Sequence, residues 1–174
     1  MPLQLQKPIA FIDLETTGTN LGTDRIVEIA IVKIAKDGTR QIKRKLINPE
    51  MPIPAGSSEI HGITDDMVKD APTFRQVANE LKQFLDNCDL GGYNSNRFDI
   101  PLLVEEFLRT GLEFEMNSRR LLDVQRIFHM MEQRTLGGNG TRRQTREQFV
   151  GAGGFVRNAG AGRFQRGLHR GHVI

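Results

Sequence analysis

The sequence predicts an α/β fold in which helices pack on a mixed sheet. Three observations predict it. The first third of the chain carries three strand-like segments in quick succession, two of them apolar and the third with one wetter face. The middle carries apolar residues at helical spacing behind recognisable helix starts. A short apolar stretch then separates two helical segments, so helices and strands alternate after the opening run of strands. A length of 174 residues fits one domain with a proper core.

The elements follow in order. Ile9-Ala10-Phe11-Ile12-Asp13-Leu14-Glu15 reads as a strand that runs out into polar residues. Ile26 to Ile34 is β-branched and nearly continuous, which predicts a buried strand. Asp37-Gly38 signals a hairpin turn. It leads into Gln41 to Ile47, a strand with one wetter face, so the three strands form an antiparallel meander. Pro49, Pro52 and Pro54 mark an irregular crossing. Thr64 precedes Asp65-Asp66 as the cap of a short turn. Thr73 and Gln76 match a capping box, and Phe74, Val77, Ala78, Leu81, Phe84 and Leu85 follow at helical spacing. Leu90 to Tyr93 is a short strand. The next helix carries Ile100, Leu103, Val104, Phe107 and Leu108 on one face and ends near Gly111. A last helix offers Leu121, Val124, Phe128 and Met131.

Charge divides the chain near residue 137. Seven Arg against one acid, Glu147, leave residues 137–174 at +6, and residues 1–136 at −3. Ten of the 18 glycines also lie beyond residue 136. The expected organisation is therefore a domain over 1–136 and a Gly/Arg-rich tail over 137–174. Such a tail gains little apolar burial for the entropy it would lose on ordering. A disordered cationic tail, a nucleic-acid arm with Arg, Gly and Phe interleaved, and a displaced reading frame all fit its composition. The single cysteine, Cys88, excludes an internal disulfide and a Cys-rich zinc site. The N-terminal residues lack the pattern of a signal peptide, and no apolar run approaches the roughly 20 residues of a membrane span. A cytoplasmic protein without a membrane partner is expected. A P-loop motif is missing, and Cys88 has no nearby His in sequence to activate it.

Asp13 and Glu15 are two residues apart on a strand, which puts both on one face with Cα atoms roughly 7 Å apart. Paired carboxylates beside an apolar core repel each other and lose hydration. A proton, a basic partner or a metal cation must offset that cost. Oxygen-only ligands suit Mg2+ or Mn2+. A solvated strand end with two ordinary acids is the other reading. Asp99 stands before an apolar helix, where a carboxylate can cap the helix or serve a site.

Phe11-Ile12-Asp13-Leu14-Glu15-Thr16-Thr17-Gly18 resembles the first motif of the DEDD superfamily of 3′–5′ exonucleases, which includes the proofreading epsilon subunit of replicative DNA polymerase. Asp24 to Ala30, His61-Gly62-Ile63-Thr64 and Gly92-Tyr93-Asn94-Ser95-Asn96-Arg97-Phe98-Asp99 are similar to further stretches of that superfamily, so the resemblance covers roughly residues 8–134 in order. It implies a ribonuclease-H-like fold with a five-stranded mixed sheet and two divalent metals, Mg2+ or Mn2+. It implies hydrolysis of phosphodiester bonds at single-stranded DNA or RNA 3′ ends, and association with a DNA polymerase. Asp13, Glu15 and Asp99 take the catalytic and metal-ligating positions. Thr16, Thr17, Gly18, His61, Asn94 and Phe98 are the implied substrate-binding residues.

The superfamily completes its site with a third motif, a His or Tyr base followed by a fourth carboxylate. Neither form occurs here. His129 is followed by Met130-Met131-Glu132-Gln133-Arg134, and no acid follows His169 or His172. The only tyrosine, Tyr93, precedes the second motif. Asp123, the last aspartate, stands at the start of the last helix and reads as a cap or a structural residue rather than a catalytic one. The resemblance fades where the composition changes. The expectation is an exonuclease domain with impaired activity in this chain, because its final catalytic helix is replaced. The alternative is a non-catalytic nucleic-acid-binding module with an exonuclease-like fold and a basic tail.

Overall fold

The computed structural model describes residues 4–135. The expected Gly/Arg tail lies outside them. Within the described chain the order is β1 (Ile9–Thr16), β2 (Ile26–Ile34), β3 (Arg40–Leu46), α1 (Ala55–His61), α2 (Asp65–Val68), α3 (Phe74–Phe84), β4 (Asp89–Gly92), α4 (Asp99–Thr110), β5 (Leu121–Asp123) and α5 (Val124–Thr135). The five strands form one mixed sheet in the order β3-β2-β1-β4-β5. β1–β2 and β2–β3 pair antiparallel, and β1–β4 and β4–β5 pair parallel. This is the ribonuclease-H-like arrangement that the resemblance implied. No helix among the described residues is long and apolar enough to cross a membrane.

The strands β1, β2 and β3 form the expected antiparallel meander. At the β2–β3 turn, Asp37 Oδ1 accepts the Thr39 amide at 2.9 Å. Alternation along β1 sends Ala10, Ile12 and Leu14 into the core beside Ile29 and Ile31 of β2. Helices α3 and α4 close over that side, with Phe74, Val77, Ala78, Leu81, Leu103 and Phe107 buried against it. The Phe74 and Phe107 rings meet edge to face with centroids 5.2 Å apart. At the start of α3, the Thr73 amide donates to Gln76 Oε1 at 2.8 Å, as the capping pattern predicted.

The structure departs from the sequence expectation at four places. The Thr64 side chain makes no cap hydrogen bond at α2. Leu108 is 68% exposed, while Leu102 and Glu106 are buried, so the inner face of α4 is rotated from the one read in the sequence. Burying Leu102 and Glu106 is a consequence of the strands and loop that α4 meets. Leu121 belongs to a three-residue strand rather than to the last helix. A strand that short has no period to detect, and its pairing with β4 alone defines it. Residues 55–61 are helical although the proline-rich run reads as irregular. This helix buries no residue, so it has no amphipathic signature.

One ion cluster joins the edge strand to α3. Lys43 and Lys45 of β3 each reach Glu80 at 2.6 Å, and Lys43 also lies 4.5 Å from the Phe84 ring centroid. Hydrogen bonds from Lys43 and then Lys45 push the Glu80 carboxyl down from its ordinary 4.5 to about 2. A depressed carboxylate stabilises the fold fully above its unfolded value and loses that contribution as pH falls. The window here runs from about 4.5 down to about 2. Glu80→Gln should therefore flatten the fall of melting temperature with acid across that window. At neutral pH it should lower the melting temperature by the same amount that the acid limb is flattened, a small one because the cluster is solvent-screened. Superimposable melting curves of parent and variant through that pH range would remove this linkage.

Candidate active site

β1 supplies the first two acids. Asp13 and Glu15 alternate with buried Ile12 and Leu14, share the face of Phe11, and are half-buried rather than fully solvated. The parallel pairing of β1 with β4 runs from Ile9↔Asp89 to Phe11↔Gly91. Beyond it the Leu14 amide, which lies between the two acids, donates to Asp99 Oδ1 at 3.1 Å. Asp99 is the first residue of α4, and the preceding Phe98 makes no side-chain cap bond. Its carboxylate thus reaches across to the edge of β1. The structure therefore joins the third acid to the strand segment that carries the other two, across 85 residues of sequence.

A fourth acid lies beside them that the sequence reading missed. The β1–β2 register sets Glu28 directly opposite Glu15. Like charges so placed repel, and Arg44 of β3 offsets this with a forked contact to Glu28, Nε at 2.8 Å and Nη2 at 3.0 Å. The signal available was one acid interrupting an otherwise apolar strand, Ile26-Val27-Glu28-Ile29.

The turn after β1 is held from several sides. Thr17 is 1% exposed, and its hydroxyl donates to Asp24 Oδ1 and accepts the Arg25 amide, both at 3.0 Å. Gly18 lets the Asp24 carboxylate approach. A Cβ there would lie 2.5 Å from Asp24 Oδ2, which is itself held by the Asn20 amide at 2.7 Å. Thr16 Oγ1 donates to Gly18 O at 2.6 Å. From α1, Ser57 Oγ donates to Thr17 O at 2.7 Å, and His61 Nε2 lies 3.2 Å from Thr16 O. His61 Nδ1 accepts the Ile63 amide at 3.1 Å, so the tautomer that satisfies both contacts carries its proton on Nε2. His61 thereby stands at the end of β1, holding the turn through backbone atoms.

The far side of the turn is clamped to α4, again by residues the sequence reading passed over. Glu106 is 1% exposed and accepts from Arg25 Nε at 2.7 Å and Arg109 Nη1 at 2.9 Å. Arg109 also donates to Asp24 O and Leu21 O, at 2.9 and 2.7 Å. Between β4 and α4, Asn94 adopts a left-handed backbone, with φ of 58°, and its amide donates to Asp123 Oδ1 at 3.0 Å. The same Asp123 oxygen accepts the Gln125 amide at 3.0 Å, the capping role read for it in the sequence. Phe98 is partly buried against the main core.

The donor chemistry of Asp13, Glu15 and Asp99 fits a hard divalent cation, because all three present only carboxylate oxygens. Among the described residues, no group of three or more His, Cys, Asp or Glu side chains forms a metal-holding cluster by itself. Water and substrate oxygens would have to complete the coordination, which Mg2+ accepts readily.

Several known proteins resemble this chain. The family model described as Exonuclease, RNase_T, matches residues 10–137. A PolC-type DNA polymerase III from Caldanaerobacter subterraneus subsp. tengcongensis is 30% identical over 122 residues, covering 70% of this chain and 9% of that protein. A DNA polymerase III subunit epsilon-like protein of Rhodobacter capsulatus is 38% identical over 107 residues, which are 59% of this chain and 15% of the relative. The chain thus spans a small part of these relatives. Among solved structures, product-bound exonuclease I superposes with a TM-score of 0.69 at 19% identity, over 86% of this chain and 39% of the other. E. coli exonuclease I in complex with a dT13 oligonucleotide gives 0.68 at 19% identity, over 80% and 33%. That likeness is one of fold. With its family model covering most of its length, the chain belongs to the exonuclease family, within the DEDD superfamily of 3′–5′ exonucleases.

Proposed function

We propose that the chain is a divalent-metal-dependent 3′–5′ exonuclease that acts on single-stranded nucleic-acid ends. Asp13, Glu15 and Asp99 are its metal-holding carboxylates. The observation that carries this reading is the contact of Asp99 Oδ1 with the Leu14 amide, which ties the third acid to the strand segment between the other two. Bound Mg2+ or Mn2+ would stabilise the attacking and leaving oxygens of an in-line displacement. The residues themselves hold and orient. Thr16, Thr17 and Gly18 fix the turn at the end of β1, and His61 braces it. Asn94 and Phe98 shape the loop that ends at Asp99. Together these residues shape the approach of the terminal nucleotide, Thr17 from beneath the surface.

The chain has no third-motif base that the sequence identifies. A site lacking a positioned base is slower by a typical factor of ~10²–10⁴, so slow turnover is part of the proposal. In this reading residues 1–136 form the nuclease domain and 137–174 a basic appendage. A relative named as a DNA polymerase III subunit epsilon-like protein supports work beside a polymerase, and a cytoplasmic setting is part of the proposal. The test is a 5′-labelled oligonucleotide, single-stranded or blunt-ended, incubated with Mg2+ or Mn2+. Stepwise shortening of the single strand from its 3′ end is expected, with none in EDTA and none by Asp13→Ala. Equal shortening by parent and variant would end this assignment.

A second reading has its own observation. The missing third motif and the +6 charge of residues 137–174 favour a binding module without catalysis. It predicts salt-sensitive binding that is lost when the tail is deleted, with no shortening of the oligonucleotide under any metal.

A further inference from the structure

The loop between β4 and α4 has features that the holding of a metal does not use. It begins at the C-terminal end of β4, just past the last parallel pair with β1, and crevices at such strand ends of α/β sheets commonly take ligands. Its first residue, Tyr93, is 54% exposed. Arg97 is exposed two positions before Asp99, and its guanidinium makes no hydrogen bond or ion pair with the other described residues. Between them, Ser95 is 0% exposed, and its Oγ and the buried Asn96 Oδ1 have no hydrogen-bond partner among the described residues. A buried polar atom costs free energy unless a water or a ligand meets it.

The loop backbone is nonetheless fixed. The Asn94 amide is held by Asp123, the Ile100 amide donates to Ser95 O at 3.0 Å, and Phe98 packs on the core. Gly92 permits this tight path, since a Cβ there would lie 2.7 Å from Ile12 O and 2.6 Å from Ser95 Cβ. An aromatic ring and a cation are thus displayed from a rigid support, and neither contributes to the core.

We infer that Tyr93 and Arg97 form a strand-binding lip, on which Tyr93 stacks a base and Arg97 meets a backbone phosphate of an unpaired nucleic-acid strand. The inference rests on the exonuclease reading for its choice of ligand and deepens it. Charge argues the same way. Glu15, Glu28, Asp13 and Asp99 repel a phosphate chain, and a cation beside them offsets that repulsion where the strand enters. Stacking tolerates every base and so suits an enzyme that meets any sequence.

The chain offers its own probe, with one tyrosine and no tryptophan. Tyrosine emission therefore reports on Tyr93 alone. A short oligothymidylate, and separately an oligouridylate, is titrated into the full-length protein in EDTA, so that binding is read without cleavage. A labelled copy of each gives affinity by anisotropy. Saturable quenching of Tyr93 emission is expected. Tyr93→Ala should bind roughly 5- to 150-fold more weakly, and Tyr93→Phe should keep the parent affinity. Arg97→Gln should flatten the slope of log affinity against log salt by about 0.7, one phosphate contact on a single strand. Binding by anisotropy with unchanged emission overturns the lip, as does unchanged affinity and salt slope in the variants, or no binding of either strand. Because no step needs catalysis, loss of the lip and loss of the nuclease assignment are separate results. A lip that binds without any metal-dependent shortening sinks only the nuclease.

Discussion

Asp99→Asn is expected to lower metal-dependent nucleotide release by roughly three orders of magnitude while the melting temperature stays close to the parent's. The two expectations come from two halves of one side chain. An asparagine keeps an oxygen at the Oδ1 position, so the Leu14 amide retains its acceptor at the 3.1 Å contact. The tie between α4 and β1 therefore persists. What disappears is the negative charge, and with it the carboxylate proposed to hold the metal. The Lewis-acid contribution to phosphoryl displacement is several kcal/mol, and about 4 kcal/mol corresponds to ~10³-fold in rate. Asp99→Ala separates the terms, since it removes both oxygen and charge and should lower activity and melting temperature together. Single-turnover release with saturating Mn2+ and a calorimetric melt measure both quantities on one preparation. An Asn variant within a factor of about two of the parent rate would place Asp99 among structural residues only.

Glu106→Gln has the largest expected effect on stability. Glu106 is buried, and its two partners, Arg25 and Arg109, are 25% and 21% exposed. Removing one member of a buried ion group leaves the others uncompensated, at a cost of about 3–5 kcal/mol. The partial exposure of both guanidiniums favours the lower end, about 3 kcal/mol. For a chain of this size that is roughly a 10 °C fall in melting temperature. The effect reaches the site, because Arg25 and Arg109 hold Thr17 and the 21–24 segment beside Gly18. Adding Arg25→Met to Glu106→Leu removes the stranded charge and should recover part of the loss, a non-additivity that a double-mutant cycle measures. A melting temperature within about 2 °C of the parent for Glu106→Gln would show that the cluster is held by solvent rather than by its charges.

Particular residues show how legible this molecule is. β1, β2, α3 and α4 announce themselves because burial imposes a period on their sequences, two in strands and 3.6 in helices. β5 does not, since three residues cannot display a period, and α1 does not, since it buries nothing. Leu108 misled because helical spacing alone is compatible with neighbouring faces of α4. The stripe that is buried depends on where β1 and the 18–24 turn come to lie. The acids divide in the same manner. Asp13 and Glu15 form a visible pair because they share one strand, whereas Glu28 is their neighbour only through the β1–β2 register.

The chain itself determined the strands, the two long helices, the paired acids and the family motifs, all carried by neighbours a few residues apart. Tertiary structure decided which distant groups meet: Asp99 with the Leu14 amide, Glu106 with Arg25, Glu28 with Glu15 and Arg44. The physical reason is the range of the interactions. Backbone periodicity and turn chemistry act within a few residues and leave a local trace. A hydrogen bond or an ion pair between elements depends on a distance of about 3 Å that only the folded sheet and its helices establish.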